Sequence, residues 1–205
     1  MIHLICNLTL LMVIGFTGCR NGAMVERTSL GSEAAARHDQ WSQPVDIPGV
    51  PNARRVGPGL YRGGQPSRAG FESLQQLGVK TVINLRGNDS NRHAIQPGQF
   101  NSLRIPMDGF HPQVEQVIEF LRIASDDEAQ PIFLHCQHGA DRTGVLIAMH
   151  RVVMQGWTRE QAVAEMTRGG TRFHSLYGNL ADFVREADVE AIRRELGTSA
   201  MVSRQ

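Results

Sequence analysis

The sequence predicts an α/β domain with a largely parallel central sheet flanked by helices, and two observations lead there. Short apolar or β-branched runs alternate with stretches whose apolar residues recur at helical spacing. One of those runs, Val79–Leu85, is β-branched and largely apolar and has the character of a strand in a sheet interior, covered on both faces as parallel strands are.

The elements follow in order. Pro48, Pro51, Pro58 and Gly59 punctuate an extended lead-in, and Leu60-Tyr61-Arg62 reads as a short strand. Ser67 can cap a helix through Leu77 with Phe71, Leu74 and Leu77 on one face, and Gly78 ends it. Val79–Leu85 and Phe100–Ile105 are the next strands. Pro112 suits the first turn of a helix reaching Ala124, with Val114, Val117, Ile118 and Leu121 inward. Pro131–His135 is a strand, followed by a helix beginning near Thr143 that carries Val145, Leu146, Ala148 and Met149. Thr158 and Gln161 form a capping-box pattern, and Leu176–Glu195 is read as one further helix.

Lysine plus arginine number 21 against 20 acidic residues, with 41% of the chain hydrophobic and 20% charged. That balance suits a packed core and disfavours nucleic acid as a partner, since no global positive field exists. Three cysteines, Cys6, Cys19 and Cys136, are too few and too unevenly spaced for a disulfide framework or a zinc knuckle.

The first two cysteines lie in a peculiar N-terminal stretch. Ile2–Phe16 is largely apolar and is followed by Thr17-Gly18-Cys19, which is short for a membrane span and reads as a secretory signal. The ending resembles a bacterial lipoprotein cleavage box. This implies a lipidated Cys19, membrane attachment through it, and a place in the bacterial cell envelope. An ordinary signal peptide or an uncleaved anchor are the alternatives. The expected organisation is a signal over residues 1–18, a flexible tether over 19–43, a catalytic domain over 44–196 and a C-terminal tail over 197–205.

The chemistry concentrates in His135-Cys136-Gln137-His138-Gly139-Ala140-Asp141-Arg142-Thr143-Gly144. Strand, tight loop and helix N-terminus together aim backbone N–H groups at one point and build an anion site. Gly139 lets the backbone turn closely, and Arg142 offers a planar fork for two phosphoryl oxygens. The same field favours a thiolate at Cys136, the predicted nucleophile, at neutral pH. Thr143 is expected to donate its hydroxyl to that sulfur, and His135 to orient the loop. Gln137, His138, Gly139, Ala140, Asp141 and Arg142 are the expected phosphate-binding positions.

His-Cys-x5-Arg-Thr-Gly is similar to the signature of the protein tyrosine and dual-specificity phosphatases. Tyr61-Arg62-Gly63-Gly64-Gln65-Pro66, Val82-Ile83-Asn84-Leu85-Arg86 and Gly156-Trp157 resemble a bacterial dual-specificity-like branch. The resemblance spans Leu60–Asn179. It implies phosphomonoester hydrolysis, phosphotyrosine or phosphoserine/threonine in protein, through a phosphocysteine on Cys136 with Arg142 holding the equatorial oxygens and with no metal or cofactor required. It also implies a leaving-group acid, either Asp108 on an upstream loop or Asp141 within the phosphate loop. A phosphoinositide, another phospholipid or an inositol phosphate is the alternative substrate, disfavoured by the lack of lysine in the loop. A non-catalytic phosphate-binding lipoprotein is a further rival, as are a sulfurtransferase and an arsenate reductase.

Outside the loop, Arg86 is a candidate substrate contact or a structural ion-pair partner. His138 either touches substrate or faces solvent. Phe173-His174 and Trp157 read as packing.

Overall fold

Alternating side chains decide how the sheet is covered. In the computed structural model, which describes residues 39–92 and 94–202, strand β4 (Thr81–Asn84) lies beside strand β6 (Ile132–His135), and all eight residues are buried. Val82 and Phe133 point to one face, where they meet Phe71 and Leu74 of helix α1 (Arg68–Gln76). Ile83, Ile132 and Leu134 point to the other face and a larger core. That core is built from helices α2 (Val114–Ala124), α3 (Asp141–Gln155), α4 (Arg159–Arg168), α5 (Gly178–Glu186) and α6 (Val189–Val202).

The remaining strands are β1 (Gln43–Pro44), β2 (Arg54–Gly57), β3 (Leu60–Gly63) and β5 (Asn101–Arg104), in the order β1-β2-β3-β6-β4-β5. β3, β6, β4 and β5 run parallel, and β1 and β2 add an antiparallel edge. Gly63 and Asn84 both pair with His135, so three parallel strands finish at one level. Loops leaving the carboxyl ends of such strands converge on a single crevice.

Ser67 caps α1 by accepting from the Gly70 N–H at 3.1 Å, and Gly78 ends it with φ +84°. Thr158 and Gln161 form the expected box on α4. Several boundaries differ from expectation. α2 starts at Val114 rather than at Pro112, because Gln113 is extended and its N–H donates to Gln116 Oε1 at 2.9 Å. α3 starts at Asp141, two residues before Thr143, once Gly139 has completed the turn. The single helix expected over Leu176–Glu195 is two, broken where Ala187 is extended and Asp188 Oδ1 accepts from the Ala191 N–H. β1 and β2 occupy a segment read only as extended.

Ser42 is buried, and the Gln40 carbonyl accepts from Arg151 Nη2 at 3.0 Å. α6 continues past Leu196 to Val202. The expected signal, Cys19 and most of the expected tether lie outside the described residues.

Candidate active site

The loop between β6 and α3 is shaped from its outer side. Cys136 O accepts from His135 Nδ1 at 3.4 Å, and Gln137 O accepts from the Gln65 N–H at 3.1 Å. His138 O accepts from Asn52 Nδ2 at 3.0 Å, and Arg62 Nη2 donates to both Gly139 O at 2.8 Å and Ala140 O at 3.2 Å. With successive carbonyls held outward, the planar peptides turn N–H groups inward, the arrangement an anion needs. The sulfur of Cys136 lies at the base, with the residue 1% exposed, and accepts from the Gly139 N–H at 3.3 Å.

Gly139 has φ +71°, and a Cβ there would collide with the Gly63 carbonyl group and the Gly64 amide nitrogen. Backbone therefore packs on backbone, which only glycine permits. Arg62 is fully buried beneath this contact; burial brings its pKa down to about 10, against the raising fields of Glu165 and Cys136. Arg142, in the first turn of α3, is partly exposed and makes no hydrogen bond or ion pair among the described residues. Its guanidinium is uncommitted.

A polar chain fixes the His135 tautomer. Arg86 can only donate, so Gln65 Oε1 accepts its Nη1 at 3.1 Å and Gln65 Nε2 faces Asn91 Oδ1 at 3.1 Å. Asn91 Nδ2 then donates to His135 Nε2 at 3.1 Å, which leaves the ring proton on Nδ1, aimed at Cys136 O. Burial lowers the pKa of His135 to about 4, with the Arg86 charge acting in the same direction, so the ring is neutral. Arg86 thus belongs to the frame of the loop, bonded to an amide and not to the carboxylate that an ion pair would supply.

The two candidate acids differ in setting. Asp108, after β5, is exposed and accepts from His111 Nδ1 and from the Phe110 N–H, each at 2.9 Å. The His111 bond, then the Phe110 bond, then the charges of His111 and Arg142 hold its pKa below the ordinary carboxylate value. Asp141, the first residue of α3, is buried, and both oxygens meet His174: Oδ1 the backbone N–H and Oδ2 the ring Nδ1, each at 2.9 Å. Thr143 is buried, but its hydroxyl makes no hydrogen bond, so the expected donation to sulfur is not formed and the Gly139 amide serves there.

Gln137 and His138 are exposed at the rim, while Gly139 and Ala140 are buried. Beside the rim lies a cleft of about 790 Å³ lined by Asn52, Gln137, His138, Arg172 and His174, among others. Rings continue the wall: His138 to His174 at 5.4 Å, His174 to Tyr177 at 6.4 Å and Tyr177 to Phe110 at 4.9 Å between centroids. His138, Asp141 and His174 also bring ligand-type atoms within 4.8 Å of one another. The packing role expected for Phe173-His174 holds for Phe173 alone, since Phe173 packs on the core whereas His174 is exposed at the cleft. Arg62, Asn52, Gln65, Asn91 and His174 were not foreseen as site residues. Only the Tyr61–Pro66 stretch carried a signal for two of them.

A family described as "DSP-PTPase phosphatase fused to NAD+ Kinase" matches residues 53–185. The dual specificity protein phosphatase TpbA of Pseudomonas aeruginosa is 34% identical over 161 residues, covering 78% of this chain and 72% of its own. An inositol diphosphatase of Arabidopsis thaliana is 30% identical over 125 residues, 57% of this chain and 63% of its own. The crystal structure of P. aeruginosa TpbA aligns with a TM-score of 0.70 at 33% identity, over 78% of this chain and 99% of that one. A cysteine-to-serine form of TpbA in complex with phosphotyrosine aligns at 0.69 and 31% identity, over 77% and 96%.

Proposed function

The chain belongs to the dual-specificity branch of the cysteine-dependent phosphatases, and we propose that its substrates are phosphorylated side chains of proteins, phosphotyrosine foremost. It is a phosphoric monoester hydrolase that works through a phosphocysteine on Cys136. The observation that carries the reading is the sulfur at the base of an amide-lined bowl, with Gly139 N–H donating to it and the Arg142 fork uncommitted at the rim.

The loop amides and Arg142 hold three phosphoryl oxygens while the thiolate attacks phosphorus from below. The S–P bond forms as the ester P–O bond breaks. Charge spreading over the equatorial oxygens meets donors already in place, so little reorganisation is needed at the moment of reaction. Water then attacks phosphorus, the S–P bond breaks and the thiolate returns as phosphate leaves.

The complex of TpbA with phosphotyrosine supports an aryl ester as substrate. A second reading, an inositol phosphate, is favoured by the similarity to an inositol diphosphatase and by Arg172 in the adjoining cleft, where a second anionic group would find a partner.

Assays on phosphopeptides, inositol phosphates and phosphoinositides separate these readings. Phosphotyrosine peptides are expected to turn over fastest, and Cys136→Ser to lower turnover by at least about 10³-fold. A clear preference for an inositide would overturn the protein substrate, and undiminished Cys136→Ser activity would overturn the covalent route. Export and anchoring through Cys19 complete the proposal, motivated by Thr17-Gly18-Cys19 after an apolar run. Metabolic labelling with a fatty acid is expected to mark the protein, and an unlabelled Cys19→Ser control assigns the site. Equal labelling of both forms would reject it.

A further inference from the structure

A carboxyl that must meet a leaving oxygen is only as well placed as the turn that carries it. The turn after β5 fixes Asp108 from within. Oδ1 accepts from the Phe110 N–H and Oδ2 from His111 Nδ1, each at 2.9 Å, and Gln116 Nε2 donates to the Pro106 carbonyl at 2.7 Å. Asp108, Phe110 and His111 are nonetheless exposed. An exposed turn keeps its place through what it docks on.

The dock lies 69 and 70 positions further along the chain. Asn179, in the first turn of α5, donates its Nδ2 to Phe110 O at 2.9 Å and to Gly109 O at 3.3 Å. The Gly109 carbonyl and the Phe110 N–H belong to one planar peptide and point opposite ways. Asn179 therefore grips one edge of that peptide while Asp108 Oδ1 reads the other. The Tyr177 ring lies against the same peptide. It is 4.9 Å from the Phe110 ring between centroids, and a Cβ on Gly109 would stand 2.7 Å from Tyr177 Cε1. The platform itself is firm, since Tyr177 packs on the main core and Leu180 and Val184 of α5 are fully buried in it. After the bonds from His111 and Phe110, the charges acting on the Asp108 carboxylate include that of Arg142, so the docked turn stands on the phosphate side.

We propose that Asn179 and Tyr177 are positioning residues for the leaving-group acid: they hold the Gly109–Phe110 peptide and through it set the direction of the Asp108 carboxyl. The proposal rests on the phosphocysteine route and on Asp108, the upstream candidate, as the acid. Oδ1 keeps the Phe110 bond, and Oδ2, whose partner His111 is exposed, carries the proton. That proton passes to the leaving oxygen as the P–O bond breaks and the S–P bond forms. The carboxylate takes one back from water as oxygen bonds to phosphorus and the S–P pair returns to sulfur.

Leaving-group dependence, read with and without the carboxyl, tests the assignment. kcat/KM is measured on the 205-residue chain for p-nitrophenyl and phenyl phosphate. Asn179→Ala is expected to lose about 10- to 10²-fold on the phenyl ester and far less on the p-nitrophenyl ester. Gly109→Ala approaches the same contact from the turn side, at a backbone φ that is not positive, and is expected to lose in the same pattern. Tyr177→Phe keeps the ring and should match the parent, whereas Tyr177→Ala should not. In an Asp108→Asn background, Asn179→Ala and Gly109→Ala are expected to cost nothing further, because no acid is left to aim. Equal losses on both esters, or undiminished losses in the Asp108→Asn background, would make these contacts structural and overturn the proposal. An Asp108→Asn protein that loses nothing more on phenyl phosphate than on the p-nitrophenyl ester would instead refute the acid on which the proposal stands. Turnover in Cys136→Ser would refute the covalent route.

Discussion

His135 shows how one buried side chain links the reactive loop to the stability of the protein. Its neutral ring donates to Cys136 O and accepts from Asn91, so a second proton would break the Asn91 bond and bury a charge. Folded, it is protonated only below about 4; unfolded, it is protonated near the ordinary histidine value of ~6.5. Between those limits the unfolded chain binds more protons. Stability is therefore full above the unfolded value and falls as pH drops toward 4, by up to about 3 kcal/mol. His150, also lowered to about 4 by burial, adds in the same direction. Urea midpoints at pH 7 and pH 4.5 are expected to differ in the parent, and by less in His135→Asn. Identical pH slopes in the two proteins would remove His135 from the account.

At the level of elements, the loop is a cast taken from β3. Gly63 and Gly64 press on Gly139, and Arg62 from the same strand holds the next two carbonyls. Gly139→Ala would force a Cβ into backbone that cannot move aside, at a φ that alanine resists. It is expected to lower stability by about 1–3 kcal/mol and kcat/KM by about 10²-fold, since displaced amides no longer meet phosphate. Gly156→Ala is the matched control: φ is +67° there, but open space surrounds the position at the far end of α3. It should show backbone strain in thermal melts and keep its kinetics. Equal kinetic losses in both variants would mean that strain alone, and not the contact with β3, governs the loop.

For the molecule as a whole, legibility followed sequence distance. The phosphate loop and the central strands could be read because their information is local: cysteine, glycine and arginine at fixed spacing, and Thr81–Leu85 as an apolar run. The helix break at Ala187 was hidden because Leu180, Val184, Val189 and Ile192 keep an apolar rhythm on both sides, all of them buried. Arg62 and His174 were opaque for another reason, since their partners lie 77 and 33 residues away. A sequence pattern displays spacing and says nothing of what folds beneath it. The same distance explains why Arg151 and Glu165 went unremarked: their buried pair joins α3 to α4 and binds Gln40 and Ser42, closing the body over its first strand. The five outward carbonyls, held by residues drawn from Asn52 to His135, have one more consequence. Until those remote pieces have docked, no ring of amides surrounds Cys136; the phosphate site arrives together with tertiary closure, and an incompletely assembled chain has nothing with which to hold a phosphoryl group.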